Sequence, residues 1–464
     1  MKNWNRARRA TRRGESTVRP AIALPTPGNR IDAAWLLTAY VLVLMLIPAN
    51  LTIAALGAIG TPALIVGLGA LIWWIGAQMN RASATLTPAQ PVRRAALGFA
   101  LAVLASYVVA MVRPIDGLEI NAADRGLLLI ASWIGLIVLS CDGLTTRARL
   151  ELPLRAFVTV GGIVALIGIL QFITGRALVD VIQIPGLTPN TDLTSIYDRG
   201  GFTRAAGTST HPIEFGVVLA MILPLALHFA FSDTHRGRIQ RWFPVAVIAF
   251  AVPITISRSA LVGVVVALLV LMPTWTARRR RLSYLVIGAI VVVVYVAIPG
   301  MLGTLIRLFT GLAADGSARS RTDSYALAGE FIARSPFFGR GLSTFLPEYR
   351  ILDNQYLGLL IEVGIVGTLA ILVLFVVAIG TAFRTRRMSS DPTTRSLAQS
   401  LTALVAVGAC TFATFDAFGF PQASSLVFLG IGFIGALSNI VKRGSDRSAD
   451  PIKSRADAAP RQSI

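Results

Sequence analysis

The feature that most constrains this chain is a succession of apolar runs, each close to the length of a membrane-spanning helix, joined by short polar connections. A helix needs about 20 apolar residues to cross ~30 Å of hydrocarbon. Hydrophobic residues make up 54% of the chain and charged residues only 14%, which excludes an ordinary soluble globular domain. We therefore predict an all-α, polytopic integral membrane bundle of about 12 transmembrane helices. The predicted spans are 33–52, 58–79, 95–112, 126–141, 156–174, 213–231, 243–257, 259–273, 283–300, 354–383, 398–417 and 422–441.

The basic residues determine the predicted orientation. The formal net charge is +20, and the dense arginine clusters fall on alternate connections between the predicted spans. Loops rich in arginine and lysine remain on the cytoplasmic side, where the leaflet is anionic. We therefore expect a multi-pass protein of the inner (plasma) membrane with both termini cytoplasmic. The clusters are explained by membrane topology, so we expect no nucleic-acid partner.

The chain divides into a membrane domain and two tails. We predict disordered basic cytoplasmic tails over 1–30 and 442–464, with a polytopic domain over 31–441. A large extracytoplasmic loop over 301–353 should contain short amphipathic helices, because apolar residues recur there at helical spacing. The mixed charges of 113–125 indicate a solvated external loop.

Two arginines lie where charge is costly. Arg258 stands in TISRSALVG, between two apolar runs with almost no loop, and Arg204 stands in RAAGTSTHPIEFG, before the sixth predicted span. An arginine at membrane depth marks a functional site or a paired charge, and its planar fork suits phosphate oxygens. The alternative for Arg258 is an interfacial anchor, and for Arg204 an ordinary loop arginine.

The large loop carries further positive charge on the side where the positive-inside rule disfavours it. An anionic ligand would explain this exception, although solvated loop charges are the simpler alternative. We expect one or two of these arginines to contact substrate, Arg321 first. The loop arginines are Arg319, Arg321, Arg334, Arg340 and Arg350.

Other polar residues flank the predicted spans. His211 is a candidate general base, or a structural residue at the start of a helix before Pro212. Asp353 could accept a proton from a sugar hydroxyl with Asn354 orienting it, and both residues are also favoured helix caps. Glu362 lies within the tenth predicted span and needs an arginine or a water-filled cavity beside it.

The sequence lacks the motifs of metal and nucleotide chemistry. No histidine, cysteine and aspartate spacing fits a metal site, and there is no Walker loop or dinucleotide fingerprint. The predicted cytoplasmic loops are too short for a nucleotide-sugar domain. We therefore expect no cofactor, no metal, and an activated donor that arrives as a membrane lipid.

Three motifs, in order, resemble the O-antigen ligase and polymerase superfamily. They are RAAGTSTHPIEFG from Arg204, TISRSALVG from Thr255, and SPFFGRGLSTF followed by DNQYLGLLIEVGIVG from Asp353. The resemblance covers about residues 155–370, and elsewhere it rests on topology. Asn354, Tyr356 and Glu362 keep the last motif, but Asp353 stands where the family has its catalytic histidine. That departure favours a polymerase, or a ligase with an unusual acceptor.

The resemblance implies a metal-independent membrane glycosyltransferase of cell-envelope polysaccharide synthesis. A polyprenyl-diphosphate-linked glycan would be transferred, outside the cytoplasm, to a hydroxyl of a glycan or glycolipid acceptor. Arg204 and Arg258 would hold the diphosphate and Asp353 would act as the base. Two alternatives stay open, a transporter or flippase of lipid-linked glycans or small anions, and a structural partner in an envelope-synthesis complex.

Overall fold

The structure is a computed structural model that describes residues 32–80, 90–176, 178–190, 198–199, 201–310 and 316–449. The predicted tail over 1–30 lies outside these residues. Fifteen α-helices make up most of the described part: α1 Ala33–Leu46, α2 Pro62–Met79, α3 Pro91–Val112, α4 Gly117–Gly143, α5 Arg147–Thr174, α6 Pro212–Ser232, α7 Arg238–Ile254, α8 Arg258–Leu271, α9 Ala277–Ala297, α10 Met301–Thr310, α11 Gly316–Arg334, α12 Gln355–Glu362, α13 Gly364–Met388, α14 Pro392–Thr411 and α15 Pro421–Ala449.

The protein is an all-α, multi-pass membrane bundle. Eight of the described helices are long and apolar enough to cross a membrane, namely α2, α3, α4, α5, α6, α9, α13 and α15. The predicted total of about twelve spans stays a prediction. The described strands form two short antiparallel pairs, β1 Leu51–Ile53 with β2 Leu187–Pro189 and β3 Asp198–Arg199 with β4 Phe202–Thr203.

Several helices begin earlier than the apolar runs because their first turns are polar and capped. Proline opens α3, α6 and α14, where its fixed φ suits the first helical position and its missing N–H costs nothing. Thr146 caps α5 by accepting from the N–H of Arg149. At the other terminus, α15 continues to Ala449, into the interval predicted as a tail.

Helices α6, α14 and α15 form the centre of the bundle, where small residues permit close packing. A Cβ on Gly408 of α14 would lie 2.2 Å from a Val427 methyl group of α15. Trp133 of α4 stacks on Phe428 at a centroid distance of 4.8 Å and donates from Nε1 to Ser425 Oγ at 3.0 Å. In a membrane, such close packing and interhelical hydrogen bonds replace the hydrophobic driving force.

The break between α12 and α13 is filled by the loop 335–341. Arg340 N–H and Gly341 N–H donate to the last carbonyls of α12, and Pro336 and Phe337 carbonyls accept from the first N–H groups of α13. A Cβ on Gly339 would lie 2.3 Å from the carbonyl carbon of Glu362, and one on Gly364 would lie 2.4 Å from that of Phe337. The glycines of the third motif are therefore needed for backbone contact between its two halves.

The interval 113–125 differs from the predicted solvated loop. Helix α4 begins at Gly117, so most of this interval is helical, and Glu119 is only 3% exposed. Glu119 pairs with Arg113 at 2.6 Å and with Arg340, and it also accepts from Tyr349 Oη at 2.6 Å. The prediction was wrong because the balancing arginine and tyrosine come from a segment more than 200 residues away.

Candidate functional site

Four segments meet at one end of the bundle, which we call the loop-rich end. They are 204–211 before α6, 255–258 between α7 and α8, 353–356 at the start of α12, and 412–420 between α14 and α15. Thr414 Oγ1 donates to Ser259 Oγ at 2.8 Å, and Gln355 N–H donates to the Phe412 carbonyl at 2.8 Å. These two bonds join the motif from Thr255 and the motif from Asp353 to the same segment, 412–420.

Arg204 lies beside the turn that carries Arg258. Arg204 Nε donates to the Thr255 carbonyl at 2.9 Å, three residues before Arg258 at the first position of α8. Both arginines are half-buried. The two positions predicted to hold one anion are therefore neighbours in space, although about fifty residues separate them in the chain.

Two amides fix the backbone that follows Arg204. Gln171 of α5 accepts at Oε1 from Gly207 N–H at 2.8 Å and donates from Nε2 to the Gly207 carbonyl at 3.0 Å. Gln422 of α15 accepts at Oε1 from Ser209 Oγ at 2.5 Å and donates to the Leu44 carbonyl at 3.0 Å. Because both amides are buried, these bonds hold the loop in one conformation.

Glu214 is a buried carboxylate that joins this loop to α15. Its Oε2 accepts from the N–H and the hydroxyl of Thr210, each at 3.0 Å. Its Oε1 accepts from the N–H groups of Gln422 and Ala423 at 2.7 and 3.3 Å. A negative charge at the start of a helix is favoured by the unpaired N–H groups there.

The turn before Arg258 is strained. Ile256 has a φ of 48°, in the left-handed region, and its side chain is fully buried. A β-branched residue in this region costs roughly 1–2 kcal/mol. Burial offsets this cost, since Ile256 belongs to one buried apolar cluster with Met301 and Leu308 of α10. Ser257 caps α8 by accepting from Ala260 N–H at 3.4 Å, so the orientation of Arg258 is set by its neighbours on both sides.

Asp353 lies close to a second carboxyl group, Asp416. Burial, and to a smaller extent the negative charge of Asp353, raise the pKa of Asp416 to about 6. Asn354 caps α12 by accepting at Oδ1 from Tyr356 and Leu357 N–H at 3.1 and 3.3 Å. Of the two cap candidates, Asp353 and Asn354, it is Asn354 that occupies the N-cap of α12.

His211 occupies the N-cap of α6, where Nδ1 accepts from Ile213 N–H at 3.1 Å. Burial, and secondarily the positive charge of Arg204, lower the pKa of His211 to about 4. The imidazole is thus neutral at pH 7 and carries its proton on Nε2. This geometry makes His211 a structural cap, which favours the structural alternative over a general base.

Three other predicted residues have structural partners near this end. Tyr356 Oη donates to the Ala409 carbonyl at 2.5 Å. Glu362 accepts at Oε1 from Phe345 N–H at 3.4 Å, which ties α12 to the loop beyond Gly341. Arg340 pairs with Glu119 and lies 4.9 Å from the Phe331 ring centroid. Their roles in substrate binding stay predictions.

The large-loop helix α11 reaches the neighbourhood of Asp353. Arg350 Nε donates to Ser324 Oγ at 2.9 Å, and Ser324 and Tyr325 line a cavity of about 20 Å³ with Asp353 and Asn354. That volume is close to what one water molecule needs. Arg319 and Arg321 lie on the same helix, five and three residues before Ser324, but their side chains lie outside the described residues, as do all side chains of 316–323.

An apolar groove runs from this end along α9. It encloses about 270 Å³ between α9 and the faces of α6, α7 and α8. Near the site it is lined by Val252 and Pro253 of α7, which directly precede the Thr255 turn, and by Leu261 of α8. Helix α9 is largely exposed, with only Val294 buried along its length. The groove can therefore be reached from the side, as a lipid chain would reach it.

One family model matches the chain. The model is described as O-antigen ligase, and it matches residues 243–372. Those residues belong to the O-antigen ligase superfamily. The matched segment contains Arg258, Asp353 and the loop–helix contact at Gly339 and Gly364, whereas Arg204 and His211 lie before it. No curated protein matches this sequence.

The resemblance deduced from the motifs is thereby confirmed. The protein is a multi-pass membrane protein, and the match over residues 243–372 supports an O-antigen ligase- or polymerase-like membrane function in polysaccharide synthesis. Within the described part of the chain, no three histidine, cysteine or acidic side chains are grouped so that they could hold a metal ion.

Sequence reasoning missed the residues that hold the site together. Gln171, Glu214 and Gln422 bond the Arg204 loop, and Glu119 pairs with Arg340. A usable signal was present, since Gln171 and Gln422 are isolated amides inside or beside apolar runs. Polar side chains in such positions need partners, which makes them candidates for packing against other polar segments.

Proposed function

We propose that this protein is a membrane glycosyltransferase that transfers or polymerises a polyprenyl-diphosphate-linked glycan. The observation that carries the proposal is the hydrogen bond from Arg204 Nε to the Thr255 carbonyl, which places Arg204 beside the Arg258 turn. Two guanidinium groups at one half-buried position suit the two phosphates of a diphosphate. The apolar groove that begins at the same turn suits the isoprenoid chain of the donor.

In the proposed reaction, negative charge develops beside Arg204 and Arg258, and a proton is released beside Asp353. An acceptor hydroxyl oxygen attacks the anomeric carbon of the donor while the bond from that carbon to the diphosphate oxygen breaks. The hydroxyl proton passes to Asp353, and the electron pair of the broken bond leaves with the diphosphate. Arg204 and Arg258 would stabilise the negative charge that develops there, because fixed charges in a site shielded from water act most strongly. His211, which begins α6 beside Arg204, would contact the donor.

The remaining predicted residues would act at the glycan side. Arg319 and Arg321, on α11, would contact phosphate or sugar, and Arg340 would do so from its pair with Glu119. Asn354 and Tyr356 would position α12, and with it Asp353. Glu362 would keep the loop 335–341 in place. We assign this end of the bundle to the extracytoplasmic side, since the arginine-rich connections lie at the other end.

The test compares two arginines that each begin a helix, using purified protein in liposomes supplied with a lipid-linked oligosaccharide. Arg258 opens α8 at the loop-rich end, and Arg238 opens α7 at the opposite end. We expect Arg258→Ala to lower the rate of glycan transfer by 100-fold or more, about 3 kcal/mol of transition-state stabilisation. Arg238→Ala should change the rate less than twofold.

Product analysis by mass spectrometry separates this proposal from transport. A transferase lengthens the lipid-linked oligosaccharide or links it to an acceptor, whereas a flippase only changes its leaflet. Relocation without any new glycosidic bond, or full activity of the Arg258→Ala variant at equal protein level, would refute the proposed chemistry.

A further inference from the structure

A second polar site lies at the end of the bundle opposite Asp353. It is a pocket of about 290 Å³ between the last turn of α6, the start of α9, the last turns of α13 and the first turns of α14. We call it the basic pocket, and its polar lining includes His228, Arg279, Arg386, Arg395, Ser396 and Gln399. None of these residues takes part in the glycan transfer proposed above.

The lining of the pocket carries an excess of positive charge. None of its described lining residues is a carboxylate, and within the described chain neither Arg386 nor Arg395 forms an ion pair. The nearest acidic residue along the chain, Asp391, uses both oxygens to cap α14, accepting from Thr393 and Thr394 N–H at 3.1 and 2.9 Å. Three guanidinium groups around one cavity therefore favour an anion.

The interior of the pocket is lined by buried side chains that are held by hydrogen bonds. Gln399 is only 5% exposed, and its Nε2 donates to the Val270 carbonyl at 2.6 Å. Its Oε1 is buried and has no hydrogen-bond partner among the described residues. A buried acceptor without a partner is uncommon, and a ligand hydroxyl group would satisfy it. His228, 3% exposed, bonds from Nδ1 to Ser396 Oγ at 2.9 Å.

The pocket is continuous with the apolar groove. The two share Leu227, Phe231, Trp275 and Arg279, and Arg279 lies 4.5 Å from the Phe231 ring centroid. A ligand of matching shape has a phosphate, a hydroxylated headgroup and a long apolar chain. A free phosphate would use the arginines alone, but it would leave the apolar half of the site unfilled.

We propose that the basic pocket binds an anionic phospholipid with a hydroxylated headgroup, of the phosphatidylglycerol type. Its phosphate lies among Arg279, Arg386 and Arg395, a headgroup hydroxyl donates to Gln399 Oε1, and an acyl chain fills the near half of the groove. Helix α9, of 21 residues, is about 30 Å long and spans both leaflets, so the far half stays open to a donor chain. The lipid supplies packing that α9 does not obtain from the protein.

The test measures lipid binding by the full-length protein in detergent, by native mass spectrometry with dioleoyl phosphatidylglycerol, dioleoyl phosphatidylethanolamine and inorganic phosphate. The triple variant Arg279→Gln, Arg386→Gln, Arg395→Gln is compared with Arg281→Gln, Arg384→Gln, Arg387→Gln. The control arginines lie on α9 and α13, are exposed, and do not line the pocket. Both variants lose three charges, so they share any change in the general surface field.

We expect the wild-type protein to retain phosphatidylglycerol at least tenfold more strongly than phosphatidylethanolamine. The pocket variant should lose this preference, with binding weakened on the order of a hundredfold, while the control variant keeps it. Equal losses in both variants would overturn the proposal, because they would show a diffuse charge effect. Complete displacement of the lipid by millimolar phosphate would also overturn it, since the site would then take a soluble anion. None of these readouts depends on glycan transfer.

Discussion

Helices α6 and α9 are alike in length and differ in environment. Each has 21 residues and is apolar enough to cross a membrane, yet 83% of the α6 window is buried inside the protein against 6% of the α9 window. Helix α6 lies at the centre of the bundle, between the Arg204 loop and α14. Helix α9 lies at the edge, and its apolar surface forms one wall of the groove.

The difference shows that apolar composition does not indicate burial in a membrane protein, because lipid is as apolar as a protein core. The informative residues are the polar ones. Helix α6 carries Glu214 and His228, both buried and hydrogen-bonded to other helices. Within α9 beyond its arginine-rich first turn, Ser283 bonds only to its own helix, at the Arg279 carbonyl. Helix α6 lies inside the bundle because its polar groups need partners on other helices. Helix α9 has few such groups, so it can lie at the edge of the bundle.

The largest expected effect is on the stability of the protein, when a polar side chain of α6 is removed and compared with a matched change in α9. Glu214→Ala leaves the N–H groups of Thr210, Gln422 and Ala423 without their acceptor in a buried site, which should cost roughly 2–5 kcal/mol. Ser283→Ala, the matched change in α9, should cost less than about 0.5 kcal/mol. Thermal unfolding in detergent measures both. Similar melting temperatures for the two variants would mean that α6 does not depend on its polar contacts.

A pair of glycines tests the packing of the same two helices. A Cβ on Gly216 of α6 would lie 2.5 Å from Ala260 Cβ and 2.7 Å from Thr255 Oγ1, whereas one on Gly288 of α9 meets nothing within 4 Å. We expect Gly216→Ala to destabilise by about 1–3 kcal/mol through overpacking. Gly288→Ala should be neutral or stabilise by up to about 1 kcal/mol, because alanine favours the helix.

Gly216→Ala should also lower glycan transfer, since it pushes on the turn that carries both Thr255 and Arg258. A variant that keeps the wild-type melting temperature and the wild-type rate would show that α6 and α8 are not in the close contact described.

The smallest effect is expected from the groove face of α9. Val291 lines the groove and its neighbour Val292 does not, although both are exposed, at 43% and 60%. Val291→Trp should fill part of the groove and raise the KM for the lipid-linked donor about three- to tenfold, while kcat changes little. Val292→Trp, which faces away from the groove, should leave both constants unchanged. Equal KM values for the two variants would show that the groove is not part of the donor site.

Much of the fold follows from the sequence because each apolar run must satisfy its own backbone hydrogen bonds in lipid, which requires a helix. The helix class and the multi-pass arrangement were predicted on that ground and are confirmed. Boundaries were missed where capped polar turns extend the helix, as at Thr146 before α5. Glu119 was placed in a solvated loop because its partner Arg340 lies more than 200 residues away in the chain.

The candidate site, like the fold, was predicted from the sequence only in part. Arg204, Arg258 and Asp353 were singled out from motifs and from the cost of charge near lipid, and the structure brings their segments to one end of the bundle. The structural parts of the site were not foreseen, because Gln171 and Gln422 bond the loop after Arg204 from helices that lie elsewhere in the chain. The sequence admits two roles for His211, and only the hydrogen bond at Nδ1 favours the cap.

The sequence by itself determined that this chain forms membrane helices, and that costly arginines and one family's motifs mark a site for an anion. Only the tertiary structure decided which apolar helix faces protein and which faces lipid, and which arginines stand beside one another. The physical reason is that an apolar helix is stable whether it faces lipid or other helices of the protein. Its place is fixed by small residues that allow contact and by polar groups that must find partners on other helices.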